Sequence, residues 1–273
     1  LEISGEGFTR LASIHPYQLI GTNMELHSST PWQTAVSMLY DLARMSHNED
    51  EAIRDFVAKQ EASEKVHLLD LCSLNDARAQ YIAQDRNKNT TRSTAASGLF
   101  DAAAAILGFQ RISTPTGRSP MEALTEAAEA FEHNGKSKSQ IDALYAKLGK
   151  LIAAAEEMED PTLEPGDLWE DTDDGAFSET SADDSQDILH TEQLIRLLAD
   201  ERIRYLTSLV KRNYDRPLNL KHPDCGSPDD NSRLLAWFLL DALATIFTQY
   251  CNDKKMVLAG KFLQSGCLRN HFK

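Results

Sequence analysis

The 273-residue sequence predicts an all-α fold, a multi-helix bundle or irregular helical array of eight or nine helices, on three observations. Ala and Leu are abundant while Val and Ile are few, a balance that favours helix over strand. Apolar residues recur at three- and four-residue spacing through most of the chain after residue 30. Thr30-Pro31, Ser119-Pro120 and Ser227-Pro228 each give a capping hydroxyl followed by proline at the first helical position, where no N–H is needed.

Residues 1–29 hold Gly5, Gly7, Pro16 and Gly21 among single apolar residues, so no helical period survives and an extended N-terminal arm is expected. A first helix from Thr30 carries Trp32, Val36, Leu39, Tyr40 and Ala43 on one stripe. Asn48 to Glu51 restarts a helix with Ile53, Phe56 and Val57 inward, and a longer one follows from Ser63 to Ile82. Thr94 to Gln110 is alanine-dense, which lets helix backbones approach closely, so it reads as a central helix that Gly98 and Gly108 weaken. The helix from Ser119 should end at Asn134-Gly135, and the next carries Ile141, Leu144, Tyr145, Leu148, Leu151, Ile152 and Ala155 inward. Leu189 to Arg212 is a second organising helix, with Leu194, Ile195, Leu197, Leu198 and Ile203 inward and Arg196, Arg202 and Arg204 outward. Ser227 starts a helix whose Leu234 to Phe247 segment is apolar nearly all round, and a short helix over 253–264 closes the chain.

Charge divides the chain unevenly. Glu156 to Asp187 holds fourteen carboxylates and no Lys or Arg, equal to the whole net charge of −14, which leaves 28 acids against 28 Lys+Arg elsewhere. Such a segment buries too little apolar surface to offset the entropy of ordering, so a disordered acidic insertion over 159–187 is expected. It divides helical half 1, residues 30–158, from helical half 2, residues 188–273, packed with it. Trp169, Asp171, Asp173, Asp174 and Phe177 interleave rings with carboxylates, the layout of a segment that docks on or shields a basic surface. A basic patch around Lys211, Arg212, Tyr214, Arg216 and Lys221 could meet phosphate or nucleic acid, with the acidic segment covering it in cis.

Catalytic and metal motifs are scarce. His222 with Cys225 and Cys267 with His271 are close pairs of zinc-ligand type, but one lies at the chain end and the spacing is half right, so no metal and no cofactor is assigned. Arg10 and His15 have the Arg-x4-His spacing of helical metal-independent ribonucleases, yet Pro16 follows and the surroundings are not helical. No glycine-rich phosphate loop, nucleophile elbow, His-Glu-x-x-His or Cys-x-x-Cys is present. Cys72, Cys225, Cys251 and Cys267 lie far apart, which suits a reducing compartment and an intracellular protein of cytoplasm or nucleus. The longest apolar run, Leu234 to Leu240, falls well short of the roughly 20 residues of a membrane span.

These observations favour a non-enzymatic protein-interaction or assembly subunit with protein partners, and assign no catalytic residue. Two alternatives stand beside it. One is a nucleic-acid-binding protein using the Lys211 to Lys221 region; the other is an enzyme whose site is assembled from residues distant in sequence. A pocket holding His and carboxylates would mark the latter.

Overall fold

Capping chemistry sets the helix starts that position everything else. In the computed structural model of the protein, residues 2–4, 7–9, 12–20, 31–45, 83, 92–109, 119–131, 135–158, 187–189, 191–212 and 229–251 are described. They are mostly helical. Their helices are α1 (Pro31–Met45), α2 (Ala96–Leu107), α3 (Pro120–Glu129), α4 (Gly135–Met158), α5 (Thr191–Arg212) and α6 (Asp230–Cys251). The helices expected over 48–82 and 253–264 lie outside the described residues.

Proline opens α1 and α3 as the sequence suggests. At α3 the capping box is complete: the Glu122 N–H donates to Ser119 Oγ at 3.3 Å, and the Ser119 N–H donates to Glu122 Oε2 at 2.7 Å. Three expected boundaries are corrected. Gly108 ends α2 rather than weakening its interior: it sits at φ 81°, and the Phe109 N–H reaches the Ala104 carbonyl at 2.9 Å in a Schellman closure. Gly135 opens α4, and α3 already stops at Glu129. The cap of α6 is Asp229 rather than Ser227, its Oδ1 accepting from the Ser232 N–H at 2.7 Å.

Among the described residues, six short strands pair in three two-stranded ladders. β1 (Glu2–Ser4) runs antiparallel to β2 (Gly7–Thr9), with Glu2 opposite Thr9. β3 (Ala12–Ile14) runs parallel to β6 (Asp187–Leu189), and β4 (Tyr17–Gln18) antiparallel to β5 (Arg92–Ser93). Within the N-terminal segment, residues 12–14 and 17–18 pair with the body, and Ile14, Tyr17, Gln18, Leu19 and Ile20 are buried. Short β-branched and aromatic runs can pair where long-range partners exist, and local helical period carries no trace of it.

The core is built around α2. It packs on α1, α3, α5 and α6, and its Ala102 to Ala105 run is fully buried, so small side chains bring the neighbouring backbones close. α6 supplies Leu235, Phe238, Leu239, Leu240 and Leu243, and α5 supplies Leu194, Ile195 and Leu198. Each large side chain so buried contributes roughly 1.5–3 kcal/mol of transfer free energy. α4 packs on α5 and α6 through the stripe of Ile141, Leu144 and Leu148. Arg202, expected outward, is 9% exposed: it bonds Asp229 at 2.8 Å and Asn231 at 3.2 Å, and lies 5.6 Å from the Tyr205 ring centroid. One guanidinium thus ties α5 to the N-terminus of α6.

Backbone approach at Gly98 locks β4 onto α2. A Cβ there would run into the hydroxyl oxygen of Tyr17, whose ring is buried. Gly98→Ala is expected to cost about 1–3 kcal/mol by overpacking. Gly149→Ala, with nothing within 4 Å of the new methyl, should stabilise by about 0.5–1 kcal/mol. Paired thermal melts check both signs.

Candidate functional site

Where β3 ends and β4 begins, His15 and Pro16 form a two-residue corner, and the body closes around it. Pro16 cannot donate a backbone hydrogen bond, so neither ladder continues through it. β4 is fixed on both sides. The Gln18 N–H donates to Asp41 Oδ2 at 2.8 Å, and Ser37 Oγ donates to the Gln18 carbonyl. Both partners lie on the inner face of α1, four residues apart and so on one side of the helix. From β5, Arg92 donates to the Pro16 carbonyl at 3.4 Å and stands 3.6 Å from Asp41 Oδ1. A carboxylate 4% exposed is held by a backbone donor and a guanidinium, the condition under which such a charge is tolerated indoors.

Beside this corner is a cleft lined by Ile14, His15, Tyr17, Met38, Asp41, Leu99, Thr191 and Glu192. Its volume of about 10 Å³ is that of a single water-sized group. Ile14, Met38 and Leu99 make an apolar floor. Thr191 and Glu192 come from the first turn of α5 and are 1% and 5% exposed. A helix N-terminus favours an acidic side chain there. Glu192 Oε1 also accepts from Gln193 Nε2 at 3.4 Å. His15, Asp41 and Glu192 therefore meet from three separate segments of the chain, with imidazole half-buried and both carboxylates buried.

Tyr17 borders the same cleft. Burial pushes its phenol above 10.0 and the Asp101 charge adds to this, while the hydrogen bond with Ser93 works the other way. Its hydroxyl donates to the Ala95 carbonyl at 3.3 Å. On the far side of the body, burial and the hydrogen bond to Asp241 likewise raise Tyr145, which packs edge-on to Phe238 at 5.0 Å.

The residues singled out from sequence fall elsewhere. Trp169, Asp171, Asp173, Asp174 and Phe177 lie outside the described residues, as do Tyr214, Arg216, Lys221, His222, Cys225, Cys267 and His271. Lys211 and Arg212 form the last positions of α5. The acidic insertion expected over 159–187 lies outside the described residues except for Asp187, which pairs with Ala12, while Glu156 and Glu157 belong to the last turn of α4. His15 follows a strand, so the helical Arg-x4-His arrangement does not form. Among the described residues no group of three or more His, Cys, Asp or Glu could hold a metal ion, and no helix is long and apolar enough to cross a membrane.

Residues 1–171 match the family described as the carbamoyltransferase, Kae1-like domain, second subdomain. The chain belongs to this carbamoyltransferase family. No curated protein and no solved structure matches it. Membership overturns the reading of a non-enzymatic interaction or assembly scaffold, which rested on the lack of catalytic motifs. A motif is visible only when its residues are close in sequence. Positions 15, 41 and 192 are not, and the one pattern that touched His15 gave it the wrong setting. The matched span supplies β1 to β5 and α1 to α4, whereas Thr191 and Glu192 reach the cleft from beyond it.

An absorbance titration of the seven tyrosines should show Tyr17 and Tyr145 ionising late, and Tyr17→Phe and Tyr145→Phe should each remove one late step. Because both native values are raised, the unfolded chain loses these protons first. Their contribution to stability is full below pH 10 and falls as pH climbs through the native values.

Proposed function

We infer that the protein takes part in carbamoyl transfer, moving a carbamoyl group from an activated donor to a nucleophilic acceptor. The observation that carries this reading is the family match over residues 1–171. It agrees with the alternative of an enzyme whose site is assembled from sequence-distant residues, and the meeting of His15, Asp41 and Glu192 supports it.

The chemistry sets what such a site supplies. The acceptor's lone pair forms the new bond to the carbamoyl carbon, the bond from that carbon to the donor oxygen breaks, and the leaving group departs with the electron pair. The acceptor's proton needs a base, and imidazole is the side chain best suited to exchange protons near neutral pH. His15 is half-buried and lines the cleft together with Asp41 and Glu192, whose negative charge favours an imidazolium as it forms. With two buried carboxylates, the cleft repels a phosphate, so an anionic leaving group belongs outside it.

Incubating the full chain with carbamoyl phosphate labelled in the carbamoyl carbon, with small thiols and amines as acceptors, tests the reading. Label leaving the donor together with phosphate release is expected, and His15→Gln should slow it about 100-fold or more. No binding and no release above the uncatalysed rate would overturn it.

A further inference from the structure

We propose that Arg92 is a positioning residue for His15: its guanidinium holds the Pro16 carbonyl and so sets the place of the imidazole that the β3–β4 corner carries. This rests on the carbamoyl-transfer reading above, in which His15 takes the acceptor's proton.

The backbone of the corner is the first argument. β3 stops at Ile14, which faces Leu189, and β4 starts at Tyr17, which faces Ser93, so His15 and Pro16 lie between the two paired registers. Pro16 has no N–H, which leaves its carbonyl as the backbone group through which that residue is tied down. Arg92 Nη1 donates to it at 3.4 Å. The His15–Pro16 peptide is planar and the proline ring fixes φ, so only ψ of Pro16 turns freely between the held carbonyl and the Cα of His15.

The guanidinium fork is the second. Arg92 stands opposite Gln18 in the β4–β5 register, and its side chain reaches two residues back along β4 to Pro16. Its other terminal nitrogen, Nη2, lies 3.6 Å from Asp41 Oδ1, while Asp41 Oδ2 takes the Gln18 N–H at 2.8 Å. One planar group with a fixed spacing between its nitrogens thus closes the corner, β4, β5 and α1 into a ring. A lysine has no such fork. It keeps the charge beside Asp41 without holding the carbonyl at a set distance from it.

The third is what the ring encloses. His15, Tyr17 and Asp41 line the cleft, and Arg92 touches the corner and Asp41 without lining it itself. It therefore acts on transfer through the spacing of imidazole and carboxylate rather than by meeting a substrate. Misplacing a reacting group by about 1 Å costs on the order of 100-fold in rate.

Arg92→Lys in the full chain is the test, since it keeps the charge beside Asp41 and removes only the fork. In carbamoyl phosphate turnover it should lower kcat about 10-fold or more with KM unchanged, while its melting temperature stays close to that of the wild type. Arg92→Met removes the charge as well, so it should melt lower and be at least as slow, and if it fails to fold Arg92→Lys still decides. A second measurement does not depend on turnover. In nitrogen–proton spectra of the eight histidine rings, with the His15 signal assigned by His15→Gln, Arg92→Lys should shift or broaden that signal. Full kcat in a folded Arg92→Lys, or a His15 signal that does not move, overturns the proposal, because Arg92 then serves the fold alone. If the wild type turns over no carbamoyl phosphate while Arg92→Lys still moves the His15 signal, the carbamoyl-transfer reading falls and the positioning of His15 by Arg92 stands.

Discussion

The burial of the Asp41 carboxylate is the constraint on which the N-terminal half of the structure depends. An ionised carboxylate inside a protein is costly unless donors surround it, and here they come from two other segments: the Gln18 N–H on β4 and the Arg92 guanidinium on β5. Supplying them forces residues 12–20 down onto α1 and brings 92–93 across to pair with β4. Arg92 spans both jobs, since it also donates to the Pro16 carbonyl and so fixes the corner that presents His15. The close packing of Tyr17 against Gly98 then leaves no room for β4 to shift along α2. One charge thereby sets the register of strands that local sequence does little to specify.

Much of the helical framework was legible because it rests on local rules. Pro31 and the Ser119-Pro120-Met121-Glu122 cap signal their starts within a few residues, and the stripe from Ile141 to Ala155 repeats at the spacing of a helix face. The alanine run of α2 announced close packing, and α2 indeed touches four other helices. Glycine was harder to read. Gly108 and Gly135 serve as a left-handed terminus and a helix start, and only the packing around them decides which role a glycine takes.

What escaped the sequence is long-range. β3 pairs with a strand 175 positions away, Ala12 facing Asp187, and no periodicity in either three-residue segment predicts it. Arg202 looked like surface charge because its spacing places it among Arg196 and Arg204, yet Asp229 and Asn231 from the start of the next helix draw it inward. The candidate site has the same origin. Its imidazole and two carboxylates are unremarkable singly, and become a site only when the β3–β4 corner, α1 and α5 meet. An absence of local motifs is therefore no absence of catalysis, and membership in a carbamoyltransferase family corrects the inference drawn from it.

The proposed carbamoyl transfer places its reaction site at the N-terminal corner pinned by Asp41. Crystals of the full chain soaked with carbamoyl phosphate test it most directly. The account predicts the donor seated at the β3–β4 corner beside His15, with its phosphate directed away from the Asp41 and Glu192 carboxylates. A donor bound with its phosphate in the cleft, or bound only at a distant surface, would contradict it.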